Sequence, residues 1–400
     1  MERIFKLEHN QALIIKHVHI YTENDVIKNG TLRIENGKIS QILQSEQSMA
    51  TYPSFFKVIN GQGLYAIPGF IDGHIHGANG RDVMDATEEA IDTIAKTLPA
   101  EGTTSFLATT ITQSKENISR ALENIAHYPN KQGYAEVLGV HLEGPFIEKS
   151  KKGAQPLEHI MNPNIEQFDQ WQQQSGGKIK TITMAPELDQ DGSFISHVAN
   201  QGVNVSAGHT KATFHDMKKA VKYGVRQVTH ICNAMSGIHH RDIGVVGAAL
   251  LLNDLRAELI ADRIHVSDEM MQLIYDQMGS ERLMLITDAM RAKCLPPGDY
   301  ELGGQPVKVT NDRAVLHDDT LAGSILKMYN AAQNMLKLDR VTLRHIIEMA
   351  SVNPAKQLSV FDRKGSLTTG KDADILLVND MLDISYTICR GVIAYERDGK

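Results

Sequence analysis

A chain of 400 residues, 42% hydrophobic and 22% charged, has the material for a large globular domain with an appendage. Its formal net charge of -7 offers no global attraction for nucleic acid or an anionic membrane, so an anionic substrate would need local cations. Three widely spaced cysteines, Cys232, Cys294 and Cys389, fit a reduced compartment rather than a disulfide scaffold, and neither residues 1–10 nor the apolar run 245–252 has the pattern of a secretion leader or a membrane span. A cytoplasmic protein is expected.

In chain order, residues 12–22 and 30–43 read as strands, with Asn36-Gly37 a two-residue hairpin turn inside the second. No helical period appears before about residue 85. Apolar runs then alternate with polar, helix-compatible stretches. Eight runs stand out, at 65–74, 103–110, 137–144, 179–186, 203–209, 225–230, 256–262 and 282–288. The segments 86–102 and 214–224 between them have helical spacing and end near a glycine. Residues 365–400 return to short strands and turns. Eight strand–helix units over about 250 residues match a (β/α)₈ barrel. The competing open α/β sheet loses ground because no Gly-rich nucleotide-binding motif follows the first strand. The expected fold is α/β: a (β/α)₈ barrel over 67–355, with a small β-sandwich domain built from 1–66 and 356–400.

Catalytic groups of such barrels sit at the C-terminal ends of the strands. The first run ends in His74 and His76, which share a face if the chain is extended there. A polar strand end facing water explains that pair as well. The third run supplies His141 and Glu143, the fifth His209, and the sixth His230 and Asn233. The seventh leads to Asp262 and His265, and the eighth to Asp288. Singly, each has an ordinary explanation: a solvated imidazole, an Asp capping the next helix, a Glu in a turn. Gathered at one rim, imidazoles and carboxylates form a donor set that suits zinc or ferrous iron.

PGFIDGHIHG, HLEGPF, SAGHT, THICNAMSGIHHRDIG, IADRIHV, ITDAM and LAGS, in that order, resemble the amidohydrolase superfamily. Within it they resemble the branch that deacetylates amino-sugar phosphates. That resemblance implies hydrolysis of the acetamide of N-acetylglucosamine 6-phosphate to glucosamine 6-phosphate and acetate, in amino-sugar catabolism and cell-wall recycling. Glu143, His209 and His230 are expected to hold a principal metal ion, with His74 and His76 on a second and Glu143 between them. Zn2+ or Fe2+ is implied, one or two ions per subunit. Asp288 matches the general base that later acts as acid, and His265 the group that polarises the carbonyl. Asn233, Ala234, His240, Arg241 and His265 match substrate contacts, Arg241 for the phosphate. The small residues of LAGS would let a loop approach the sugar. Lys151 and Lys152 read more simply as a solvated loop. Relatives of this kind are homodimers or homotetramers, and neither nucleic acid nor membrane is an expected partner. Hydantoinase-like relatives use a carboxylated lysine on the fourth strand, and this chain has no lysine at the end of its fourth run. Two rivals stay open: the same site acting on another N-acetylhexosamine phosphate or a cyclic amide, and a non-catalytic barrel that only binds sugar phosphate.

Overall fold

The computed structural model describes residues 12–44 and 56–397. Residues 1–10, read above as unlike a secretion leader, lie outside the described residues. Eight parallel strands form the central sheet in sequence order: Phe70–Ile75, Thr103–Thr110, Glu136–Glu143, Ile179–Met184, Asn204–Ala207, Val225–Val228, Arg256–Ile260 and Leu283–Ile286. They are strands one to eight below. Strand eight returns to strand one through an Ile75–Ala289 bridge, and Asp288 N donates to His74 O at 2.8 Å. The buried Asp72 carboxylate strengthens this seam by accepting from Thr287 Oγ1 at 2.5 Å and from His74 N at 3.2 Å. The runs read from the sequence thus supply the staves of a nearly closed barrel, the first run through its second half alone.

Several of the helices between strands start where the sequence offers a capping hydroxyl. Thr87 accepts from Ala90 N ahead of Glu88–Thr97, and Thr213 forms a reciprocal box with Asp216 ahead of Phe214–Tyr223. Their apolar faces, such as Ile91 and Ile94, bury against the strands.

The first apolar run holds two strands rather than one. Tyr65–Pro68 pairs antiparallel with Ile375–Val378 and parallel with Leu13–Tyr21, while Phe70–Ile75 belongs to the barrel. The break falls at Pro68-Gly69. Proline has no N–H to extend a ladder, and a Cβ on Gly69 would stand 2.2 Å from Thr104 Oγ1. Both chain ends build one eight-stranded hydrogen-bonded sheet that wraps a core of Ile15, Leu32, Ile34, Ile375 and Ile388. Asn36 and Gly37 take φ of 52° and 76°, the left-handed pair that a tight hairpin between Val26–Glu35 and Lys38–Leu43 requires. The sequence reading did not anticipate the antiparallel strands Gly298–Leu302, Gln305–Val309 and Ala314–Val315, which follow strand eight and pack on Ile111 and Met290.

A buried charge cluster fastens the terminal sheet to the barrel. Glu136, at the start of strand three, receives Arg363 Nη2 at 2.8 Å and Lys364 Nζ at 2.7 Å. Lys364 also binds Asp374, and its side chain is 1% exposed. Burial works to raise the Glu136 pKa, but the Arg363 hydrogen bonds and the Lys364 charge outweigh it and bring it down to about 2. A carboxyl held below its unfolded value of about 4.3 contributes stability that is complete above that pH and lost as pH falls through the folded value. Glu136→Gln is therefore expected to lower stability at neutral pH and to flatten its decline between about pH 4 and about pH 2. Urea midpoints across that range read this directly, and an unchanged acid slope in the variant would contradict the assignment.

Candidate metal centre and active site

The C-terminal ends of strands one, three, five, six and eight turn inward at one mouth of the barrel. His209, His230 and Asp288 each follow the end of their strand by two residues, with φ of 47°, 33° and 48°. Left-handed backbone at non-glycine residues is costly and is kept where neighbours enforce it. Here it aims three candidate side chains at one point. Gly323 of LAGS shows one such neighbour: its φ is 59°, and a Cβ there would lie 2.8 Å from Asp288 O. Ser324 N donates to that same carbonyl at 2.7 Å. The close approach this loop makes is thus to the Asp288 backbone.

Glu143 stands at the centre. Its Oε1 lies 3.3 Å from His209 Nε2, 3.3 Å from His230 Nε2 and 3.4 Å from His74 Nε2. Its Oε2 lies 3.3 Å from His76 Nε2, and Gln155 Nε2 donates to it at 2.7 Å. Asp288 Oδ1 is 3.2 Å from His76 Nε2 and 3.5 Å from His74 Nε2. Among the described residues three donor groups of cation-binding size result: Glu143–His209–His230, His74–His76–Asp288 and, deeper in the barrel, His74–His141–Glu258.

Whether these residues fit a cation follows from their protons. His209 Nδ1 faces the Lys151 carbonyl at 2.9 Å, so in the neutral ring the proton sits there and Nε2 is a lone pair. His74 Nδ1 faces the Glu258 carboxylate at 3.1 Å, and its buried Nε2 has no hydrogen-bond partner. Lone pairs therefore converge on carboxylate oxygens, and only positive charge settles such a cluster. The His209 and His230 Nε2 atoms are 3.2 Å apart. Ligands held at about 2.0–2.1 Å around a tetrahedral ion stand about 3.3 Å from one another. The donor set fits.

Electrostatics agree. Burial opposes charge on His76, yet the Asp288 and Glu143 carboxylates raise its pKa to about 10. Asp288 is likewise opposed by burial and is brought down to about 2 by His74 and His76. Glu143 is held well below the usual carboxylate range, against its burial, by His74 and the imidazoles around it. The pocket takes up positive charge, as protons or as an ion.

The remaining residues divide. Asp288, His265, Asn233 and Ala234 line a cavity of about 350 Å³ together with the metal-binding candidates His76, Glu143, His209 and His230. His74 lies buried behind them, 0% exposed. His265 Nδ1 is held by Asp262 Oδ2 at 2.6 Å. Arg241 and His240 do not join them: both are exposed on the loop after strand six, where Arg241 Nη1 contacts His240 Nε2 at 2.8 Å. Lys151, read above as part of a solvated loop, lines the cavity instead, and its Nζ reaches Met235 O at 3.2 Å. His141 belongs only to the deeper group and to neither group at the mouth. Its Nδ1 faces Gly73 O at 3.2 Å and its Nε2 faces Thr183 Oγ1 at 2.7 Å, so both nitrogens are engaged. Sequence reasoning missed Gln155, because nothing in a loop twelve residues after Glu143 marks it. It also passed over Glu258, although an acid between Ala257 and Leu259 within an apolar run was a visible signal.

Residues 65–394 match the model of the amidohydrolase family, and residues 12–49 match the BsNagA composite domain. The chain is 46% identical over 389 residues to an N-acetylglucosamine-6-phosphate deacetylase of Bacillus subtilis (strain 168), covering 96% of this chain and 98% of that protein. It is 42% identical to the enzyme of the same name from Lysinibacillus sphaericus, over 96% of this chain and 97% of the other. A solved structure of N-acetylglucosamine-6-phosphate deacetylase from Thermotoga maritima superposes with a TM-score of 0.84 at 33% identity, covering 96% of this chain and 100% of that one.

Zinc at a hundred times its dissociation constant is expected to stabilise the protein by about 2.7 kcal/mol. The gain, read as a shift of the denaturation midpoint, should largely vanish in His209→Ala/His230→Ala. An undiminished gain in that variant would mean that the ion binds elsewhere.

Proposed function

We propose that this chain, which belongs to the amidohydrolase family, hydrolyses the acetamide of N-acetylglucosamine 6-phosphate to glucosamine 6-phosphate and acetate. The observation that carries this reading is the convergence of three Nε2 atoms on one Glu143 oxygen at 3.3–3.4 Å, in a chain 46% identical to a deacetylase of that name. Family members are metal-dependent, and Glu143, His209 and His230 would hold the principal ion. His74 and His76 would hold a second, with Glu143 between the two. Zn2+ or Fe2+ suits imidazole and carboxylate donors. A bound divalent cation supplies a Lewis acid for the acetamide oxygen and lowers the pKa of water.

The protein's own groups do the rest. Asp288, a carboxylate on the cavity wall, takes a proton from the attacking water and delivers it to the departing amine nitrogen. Without that second transfer the C–N bond would release a strongly basic amide anion. His265 turns Nε2 towards the cavity because Asp262 engages Nδ1. For Nε2 to donate to the acetyl oxygen the ring has to carry both protons, and the Asp262 carboxylate is the counter-charge for that form. Asn233 and the Ala234 backbone orient the sugar. Lys151 supports anion recognition as the lysine on the cavity wall. The exposed Arg241 reaches a bound phosphate after loop movement or from a neighbouring copy, and a homodimer or homotetramer would supply the latter. Three free cysteines accord with a cytoplasmic location. No helix among the described residues is long and apolar enough to cross a membrane.

Asp288→Asn is expected to cut kcat by at least about 10²-fold, the scale of general acid–base catalysis, with the principal ion retained. Acetate release and elemental analysis on one preparation check both parts, and near-normal turnover would remove the proton-transfer role. Arg241→Ala is expected to raise KM for the phosphorylated sugar while sparing N-acetylglucosamine itself. An equal effect on both sugars would argue against a phosphate contact.

A further inference from the structure

Below the ion pocket the barrel interior carries buried polar side chains, Thr181, Gln227 and Glu258, beside Leu107 and Met284. Glu258, on strand seven, is 2% exposed and points into this interior. Its Oε2 faces His74 Nδ1 at 3.1 Å, and its Oε1 accepts from Gln227 Nε2 at 2.6 Å. Gln227 Oε1 accepts in turn from Asn204 Nδ2 at 2.8 Å. Donors from strands one, five and six thus form a chain directed at one carboxylate. Among the described residues no lysine or arginine pairs with it, and His74 is its charged-group contact.

A carboxylate has no proton to give, so the imidazole nitrogen that faces it has to be the N–H. The partner therefore decides the tautomer. His74 carries its proton on Nδ1, and its Nε2 lone pair points between Glu143 Oε1 and Asp288 Oδ1. The comparison within the same layer is His141, whose ring centroid lies 4.5 Å from that of His74. Its neighbours are a carbonyl and a threonine hydroxyl, and they leave it no lone pair for an ion.

We propose that Glu258 is a positioning residue for the ion pocket: it fixes His74 in the tautomer able to ligate and places a negative charge behind the ring. The proposal rests on the reading of His74 as an ion ligand. Glu258→Gln keeps the side-chain shape but loses the charge. Its carboxamide could turn its oxygen to His74 without setting nitrogen against nitrogen only if Gln227 and Asn204, whose Oδ1 has no partner, both reversed their amides. Moving the carboxylate one step along the chain removes that conflict. In E258Q/Q227E the amide at 258 donates to the acid at 227, Asn204 still donates to that acid, and the 258 carbonyl oxygen again receives His74 Nδ1–H.

The test is zinc affinity by chelator competition, with the melting temperature of the ion-free protein measured alongside. Removing an outer partner of a ligating histidine typically weakens binding by about 10–100-fold. E258Q is expected to bind zinc about 10–100-fold more weakly with its ion-free melting temperature close to that of the parent, and E258Q/Q227E to recover most of the loss. A fall in ion-free stability with unchanged affinity would overturn the proposal, as would a double variant no better than E258Q. His74→Ala separates the levels. If it weakens zinc and E258Q does not, Glu258 has no such role; if it leaves zinc untouched, His74 is not a ligand and the proposal falls with it.

Discussion

Everything at the mouth of this barrel is organised around one carboxylate. Glu143 Oε1 has three imidazole nitrogens within 3.4 Å, carried by strands one, five and six, and its Oε2 is shared by His76 and Gln155. Such a cluster is possible only where parallel strands end at one level, so the register of the sheet is a condition of the chemistry. The backbone completes the aim. Left-handed turns at His209, His230 and Asp288 direct these side chains across the opening, and the close packing of Gly323 and Ser324 against Asp288 holds one of them in place.

A second pattern runs through the imidazoles. For four of them the role is set by what faces the ring nitrogens, whereas His76 and His230 have no hydrogen-bond partner on Nδ1. A main-chain carbonyl faces His209, Glu258 faces His74 and Asp262 faces His265, while His141 is engaged on both sides and withdrawn from ligation. Buried polar side chains inside the barrel thus act as the wiring of the pocket above them.

The parts of this arrangement that follow local rules were legible in the sequence. The alternation of apolar runs with helical stretches gave eight strands, and His74-x-His76, Glu143, His209, His230 and Asp288 stood at or just beyond their ends. Where legibility failed, the decisive information was not local. Residues 65–74 read as one run because nothing in Tyr65–Ile75 shows that its two halves pair with different sheets. Gln155 reaches Glu143 by a loop whose path no period encodes. Arg241 carries the right chemistry, but whether its loop folds over the cavity is a matter of tertiary and quaternary contacts. Glu258 was overlooked for a different reason. An acid in a strand is ordinarily a surface residue, and only the inward direction of that position makes it part of the pocket.

The charge cluster of Glu136 with Arg363 and Lys364 ties an early stave of the barrel to residues more than two hundred positions later. During synthesis strand three leaves the ribosome long before those cations exist outside it. A barrel that closed as soon as strand eight emerged would bury an acid with no counter-ion, which is strongly unfavourable. The nascent chain thus has a reason to leave this corner open until Arg363 and Lys364 arrive, so that this segment acts as a latch on the barrel that precedes it.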